Sequence, residues 1–173
     1  MFLEDEMLDL EQPGRGVPQD AESLGSDPTS FTIGESVTAL MTAVYRGIAE
    51  QVNPHNLNPL DFAVLRSFLR QEEWTTTALA NILPVTASRI SRVVTKLVDM
   101  GLVSRRRLRD DRRVVMLRLT DEGSALTLKL HQRVLEYDAR LVEGVSEEQL
   151  AEFAAVTAKI VENYAAMERA AAE

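Results

Sequence analysis

Apolar residues recur at three- and four-residue steps through Val37, Leu40, Met41, Val44, Ile48 and Val52, a stripe that predicts an amphipathic helix over about 34–52, ended by Pro54. Pro59 suits the first turn of a second helix, and Phe62, Leu65 and Leu69 give that helix an inward side up to about Arg70. Glu72, Glu73 and Trp74 read as a turn, with Trp74 as a core or hinge anchor. A short helix over 76–82 points Leu79 and Ile82 inward and stops at Pro84. Thr86 can cap the next helix, whose inward stripe is Ile90, Val93, Val94, Leu97 and Val98 and whose end is marked by Gly101.

Past Gly101 the period changes. Leu102–Arg106 and Val114–Leu119 are short β-prone runs on either side of Arg107–Arg113, which predicts a two-stranded ribbon with an arginine-rich tip. Thr120 can then cap a long helix to about Gly144, lined by Leu126, Leu130, Val134, Tyr137 and Leu141. Ser146 and Gln149 have capping-box spacing for a last helix to about 168, carrying Leu150, Phe153, Ile160, Val161, Tyr164 and Met167. The fold class is therefore mainly α, a winged helix-turn-helix lobe at 57–120 with long helices at 31–56 and 121–170. Those long helices carry more apolar surface than the central lobe can cover, and a second copy of the chain is the simplest partner for it.

Composition separates off the first thirty residues, which hold eight acids, one arginine, and four glycines and prolines between Pro13 and Pro18. They read as an acidic, disordered tail before a domain at 31–173. No stretch reaches the roughly 20 apolar residues of a membrane helix, and no basic head with an apolar run opens the chain, so a cytoplasmic protein away from membranes is expected. The chain has no cysteine and two histidines, His55 and His131, which leaves no thiol chemistry, no metal site of the usual kinds and no implied cofactor.

The net charge of −8 at first argues against a polyanionic partner. Residues 75–118, however, hold ten Arg and Lys against three acids, a local balance of +7 that leaves −15 on the rest. One positive region on an acidic body can bind phosphate while the remainder, repelled, orients the approach.

Within that region Ser88, Arg89, Arg92 and Lys96 lie opposite the apolar stripe of their helix, beyond Thr86 at its start. Arginine can pair bidentately with guanine, serine and threonine can reach bases or phosphates, and Lys96 lies further along toward the backbone. A solvated helix face would look similar. The ribbon adds Arg105, Arg106, Arg107, Arg109, Arg112 and Arg113, cations whose mutual repulsion a polyanion would offset and whose shape suits a narrow minor groove.

The run Leu79-Ala80-Asn81-Ile82-Leu83-Pro84-Val85-Thr86 through Leu97, then Gly101-Leu102-Val103, Asp111-Arg112-Arg113 and Leu119-Thr120-Asp121-Glu122-Gly123, resembles the MarR family of bacterial transcriptional regulators over about 34–168. The resemblance implies a winged-helix dimer in which the first and last helices interlock, the helix after Thr86 enters the major groove and the hairpin reaches the minor groove. It further implies that Arg113 is the inserted residue and that Asp111 holds it. Leu83-Pro84 departs from the small residue or glycine common at the turn, and the absence of cysteine puts the family's oxidant and zinc sensors in doubt. What the resemblance leaves is a regulator responsive to a small aromatic or lipophilic effector, for which Tyr45, His55, Phe62 and Trp74 are candidate pocket residues and equally ordinary core or hinge residues. A module for non-specific DNA coating or protein contacts is the competing reading. Catalysis has no support in the motifs.

Overall fold

The computed structural model describes residues 33–107 and 115–171. It divides into two compact units, up to Val134 and from Leu135. The first contains helix α1 (Ile33–Val52), a single 3₁₀ turn (Asn53–His55), α2 (Pro59–Ser67), strand β1 (Glu73–Trp74), α3 (Thr76–Ile82), α4 (Ala87–Asp99), strands β2 (Val103–Arg107) and β3 (Val115–Leu119), and most of α5 (Asp121–Leu141). The second holds the end of α5 and α6 (Glu147–Ala171).

The core of the first unit is built from Phe62, Val64 and Leu65 of α2, Leu79 of α3, Ile90, Val94 and Leu97 of α4, Leu117 of β3, and Leu130 and Val134 of α5. Each fully buried side chain of this kind contributes roughly 2 kcal/mol by leaving water. Helix α2 starts where Pro59 predicted, on a capping box in which Asn58 accepts from the Asp61 amide and Asp61 accepts from the Asn58 amide. It ends three residues short of the expected Arg70, because Phe68, Leu69 and Arg70 donate to carbonyls only three residues back and tighten the chain into a turn. The freed Ser67 carbonyl also accepts the Trp74 indole N–H at 3.1 Å, which fixes Trp74 in the core. Leu69, expected inward, is left exposed by that early ending.

The expected turn at Glu72–Trp74 is corrected: Glu73 and Trp74 form a third strand, antiparallel to β3, with Glu73 opposite Arg118 and Trp74 opposite Leu117. The sheet order is β1-β3-β2. In α3, Leu79 is buried as expected but Ile82 is 47% exposed, and the half-buried Leu83 packs against the core after the helix has ended.

Helix α4 closes in a Schellman arrangement, with Leu102 N–H donating to Leu97 and Gly101 N–H to Val98, and Gly101 at φ +73°. The start of α5 is tied to this same corner. Thr120 donates its hydroxyl to the Gly101 carbonyl at 2.7 Å and accepts from the Gly123 amide at 2.9 Å, while its own amide donates to Leu102. One side chain thus caps α5 and fixes the root of the wing. Helix α5 ends at Leu141, just before the expected Gly144, which follows with φ +84°.

Helix α6 begins on the expected Ser146–Gln149 capping box and runs to Ala171, slightly past 168. No residue of α6 is buried, and Phe153, Val161, Tyr164 and Met167 are all more than half exposed. On α1, Val37, Leu40 and Met41 are exposed as well. Among the described residues no helix is long and apolar enough to cross a membrane. The residues of the expected acidic tail, 1–30, lie outside the described ones.

Candidate nucleic-acid interface

Helix α4 puts its four strongest apolar residues, Ile90, Val93, Val94 and Leu97, into the core, so the opposite face must be the solvent face. Ser88, Ser91, Arg92 and Thr95 occupy it, all exposed. At about 100° per residue Arg89 and Lys96 lie roughly 80 to 100° round from Ser88, on one flank, and both are half-buried. The candidate reading face is therefore Ser88, Ser91, Arg92 and Thr95, with Arg89 at its edge. Ser91 and Thr95 join the sequence candidates on this face, and the complement of the apolar stripe contains both.

Thr86 is the N-cap residue by backbone conformation, but its hydroxyl does not cap the helix; it lies 3.2 Å from the Ser88 hydroxyl, and both are exposed. Lys96 has a partner that the sequence did not show. Its ammonium lies 2.5 Å from the carboxylate of Asp61, a residue only 1% exposed at the start of α2. Lys96 is thus held in an ion pair within the lobe.

The wing sorts its arginines by the two-residue period of a strand. Arg105 and Arg107 stand opposite Leu117 and Val115 and share the face of β2 that turns toward α4. Arg105 donates to the Thr95 hydroxyl at 2.9 Å, which joins wing to helix. Together with Thr76, Ser91, Thr95 and Val115, the two arginines line a cleft of about 430 Å³. Arg106, on the other face, pairs with Glu73 at 3.2 Å, and Arg118 pairs with Glu72 at 2.6 Å. The acids of the unexpected strand and its approach therefore temper the outer face and leave Arg105 and Arg107 beside α4. Arg109, Asp111, Arg112 and Arg113 lie outside the described residues.

Of the candidate effector residues, Phe62 is 1% exposed and Trp74 is buried, both within the lobe's core, while Tyr45 and His55 are half-buried. Phe62 also carries the Arg66 guanidinium about 6.0 Å from its ring centroid. The packing of Phe62 and Trp74 against their neighbours matches the core reading of these two residues.

Comparison with known proteins bears on the whole of this arrangement. Residues 57–115 match the model of the MarR family. An uncharacterized HTH-type transcriptional regulator of Bacillus subtilis, YpoP, is 27% identical over 115 residues, 65% of this chain and 82% of the relative. The HTH-type transcriptional repressor MdtR of the same organism is 26% identical over 137 residues, 79% of this chain and 88% of the relative. Among solved structures, a mutant MarR from E. coli complexed with operator DNA is similar with a TM-score of 0.69 at 24% identity, covering 78% of this chain and 99% of that one. That last likeness establishes the fold. The matched segment runs from the residue before the α2 capping box to the first residue of β3, about a third of the chain, and includes α4 and β2, so this lobe is similar to the MarR family model.

Proposed function

We propose that this chain is a sequence-specific, double-stranded DNA-binding transcriptional regulator that acts as a homodimer, most simply as a repressor on a pseudo-palindromic operator. The observation that carries this is the convergence of Ser88, Ser91 and Arg92 on α4 with Arg105 and Arg107 on β2, hydrogen-bond donors and cations on adjoining surfaces of one lobe. Helix donors suit base edges in the major groove, and wing guanidiniums suit the phosphates and the minor groove beside it. The likeness to a named repressor and to a regulator solved with operator DNA supports the same reading.

The dimer is supported by the uncovered apolar residues of α1 and α6, among them Val37, Leu40, Met41, Phe153, Val161 and Met167. A monomer leaving these in water would carry an apolar surface that isolated proteins rarely tolerate. Sedimentation equilibrium at low micromolar concentration should give twice the chain mass of 19.3 kDa. A monomer that binds a palindromic duplex tightly would overturn the dimeric part.

The wing tip completes the proposal. Arg113 enters the minor groove and Asp111, two residues before it, holds the guanidinium in place. A surface ion pair is in general worth only about 0 to 1 kcal/mol to a fold, so the value of such a pairing would lie in orientation before binding. Arg113→Ala is expected to weaken operator binding without loss of thermal stability, and Asp111→Ala to reproduce part of that loss although it removes a negative charge. Tighter binding by Asp111→Ala at moderate salt would show that plain electrostatics governs the tip. Release by a small aromatic or lipophilic effector is the remaining element, and the resemblance to the MarR family is its support.

A further inference from the structure

The DNA-binding reading leaves one cation of α4 unexplained. Lys96 lies on the flank of the reading face, one turn beyond Arg92, where a free ammonium would reach for phosphate. Instead it is held by Asp61, thirty-five positions earlier in the chain. Asp61 uses a single oxygen, Oδ2, for two donors, the Asn58 amide at 2.8 Å and the Lys96 ammonium. Its other oxygen is buried with no hydrogen-bond partner among the described residues. A buried carboxylate with so few donors holds a cation strongly, because release of the lysine would leave it nearly uncompensated.

We infer that Asp61 is a positioning residue for DNA binding, acting through Lys96: it keeps that ammonium out of the phosphate contacts and so lowers the sequence-independent part of the affinity. The inference rests on the DNA-binding reading above. Its physical content is a competition. A phosphate can draw Lys96 away only by stranding the Asp61 carboxylate in the protein interior, whereas Arg92 is exposed and, among the described residues, shows no carboxylate partner. The affinity therefore comes from the exposed reading face and the wing, and Lys96 adds no counter-ion release.

The test is the salt dependence of binding to a random duplex by the full-length dimer. Each phosphate neutralised adds about 0.9 to the slope of log affinity against log salt, or about a 3.5-fold larger gain between 200 and 50 mM salt. Asp61→Asn keeps an acceptor for the Asn58 amide and frees Lys96, so its slope should steepen by about 0.9 for each Lys96 that reaches a phosphate. The double variant Asp61→Asn/Lys96→Gln should return to the parent slope. Lys96→Gln alone should leave the slope unchanged, and this asymmetry separates the inference from a simple effect of net charge, which would make the two single variants opposite and equal.

A shallower slope for Lys96→Gln, or an unaltered slope for a folded Asp61→Asn, would overturn the inference. If Asp61→Asn fails to fold, Lys96→Gln decides alone by the same criterion. A parent that binds no duplex even at low salt would instead overturn the DNA-binding reading, so the two failures are distinct.

Discussion

Gly123→Ala is expected to destabilise the protein by about 3 kcal/mol, against the usual sign of that substitution in a helix. In a solvent-exposed helix, glycine to alanine gains up to about 1 kcal/mol from propensity alone. At Gly123 an added Cβ would lie 1.9 Å from the Leu102 carbonyl oxygen and 2.8 Å from its carbonyl carbon. Both are backbone atoms, and the oxygen is also the acceptor for the Thr120 amide, so no flexible side chain can yield. Relief requires α5 to lift away from the corner that joins α4 to β2. Gly34 supplies the control, since a Cβ there meets nothing within 4 Å. Urea unfolding at one fixed chain concentration should give opposite signs for the two substitutions, with Gly34→Ala neutral or slightly stabilising. A stabilised Gly123→Ala would mean that α5 does not rest on Leu102.

The second large effect concerns recognition. Arg92 stands exposed in the middle of the reading face, opposite Val93, Val94 and Leu97. A bidentate arginine contact is worth about 1 to 3 kcal/mol against the wrong base, and a dimer would make it twice, so Arg92→Ala should weaken cognate binding by about 30-fold or more. Random duplex should lose no more than about tenfold, the share due to charge alone. Arg107, on the wing beside the cleft, is the comparator: its alanine variant should weaken both duplexes alike. Equal losses on both duplexes for Arg92→Ala would reassign it to the phosphates.

The helices were legible because each extends its apolar period over several turns. Ile90, Val93, Val94 and Leu97 mark α4 in the sequence as plainly as in the core, and Gly101 and Thr120 announced the ends they form. What local pattern could not carry was anything that depends on a distant partner. Strand β1 is two residues long, too short for a period, and exists because Trp74 and Glu73 pair with β3 more than forty positions later. The early end of α2 follows from the tightened turn at Phe68–Arg70 and the use of the Ser67 carbonyl by Trp74, neither of which shows in a stripe of apolar residues.

Of the candidate site, the exposed face of α4 and the alternation that puts Arg105 and Arg107 on one face of β2 were legible, since both follow from the period of the element. The ion pair of Lys96 was illegible for the same reason as β1. Its partner, Asp61, is remote in sequence, and an exposed lysine and a paired one are written with the same letter. Phe62 and Trp74 illustrate the converse, since an aromatic in a sequence marks apolar area without saying whether a ligand or the core covers it.

The central claim is that the α4 face reads sequence. The most direct measurement is the affinity of the purified protein, at one salt concentration, for a pseudo-palindromic duplex taken from its own upstream region and for a random duplex of equal length. A base-reading regulator should prefer the first by a factor of about 10³ or more. Equal affinity for the two duplexes, with the same salt slope, would contradict sequence-specific regulation and leave a winged helix that only coats DNA.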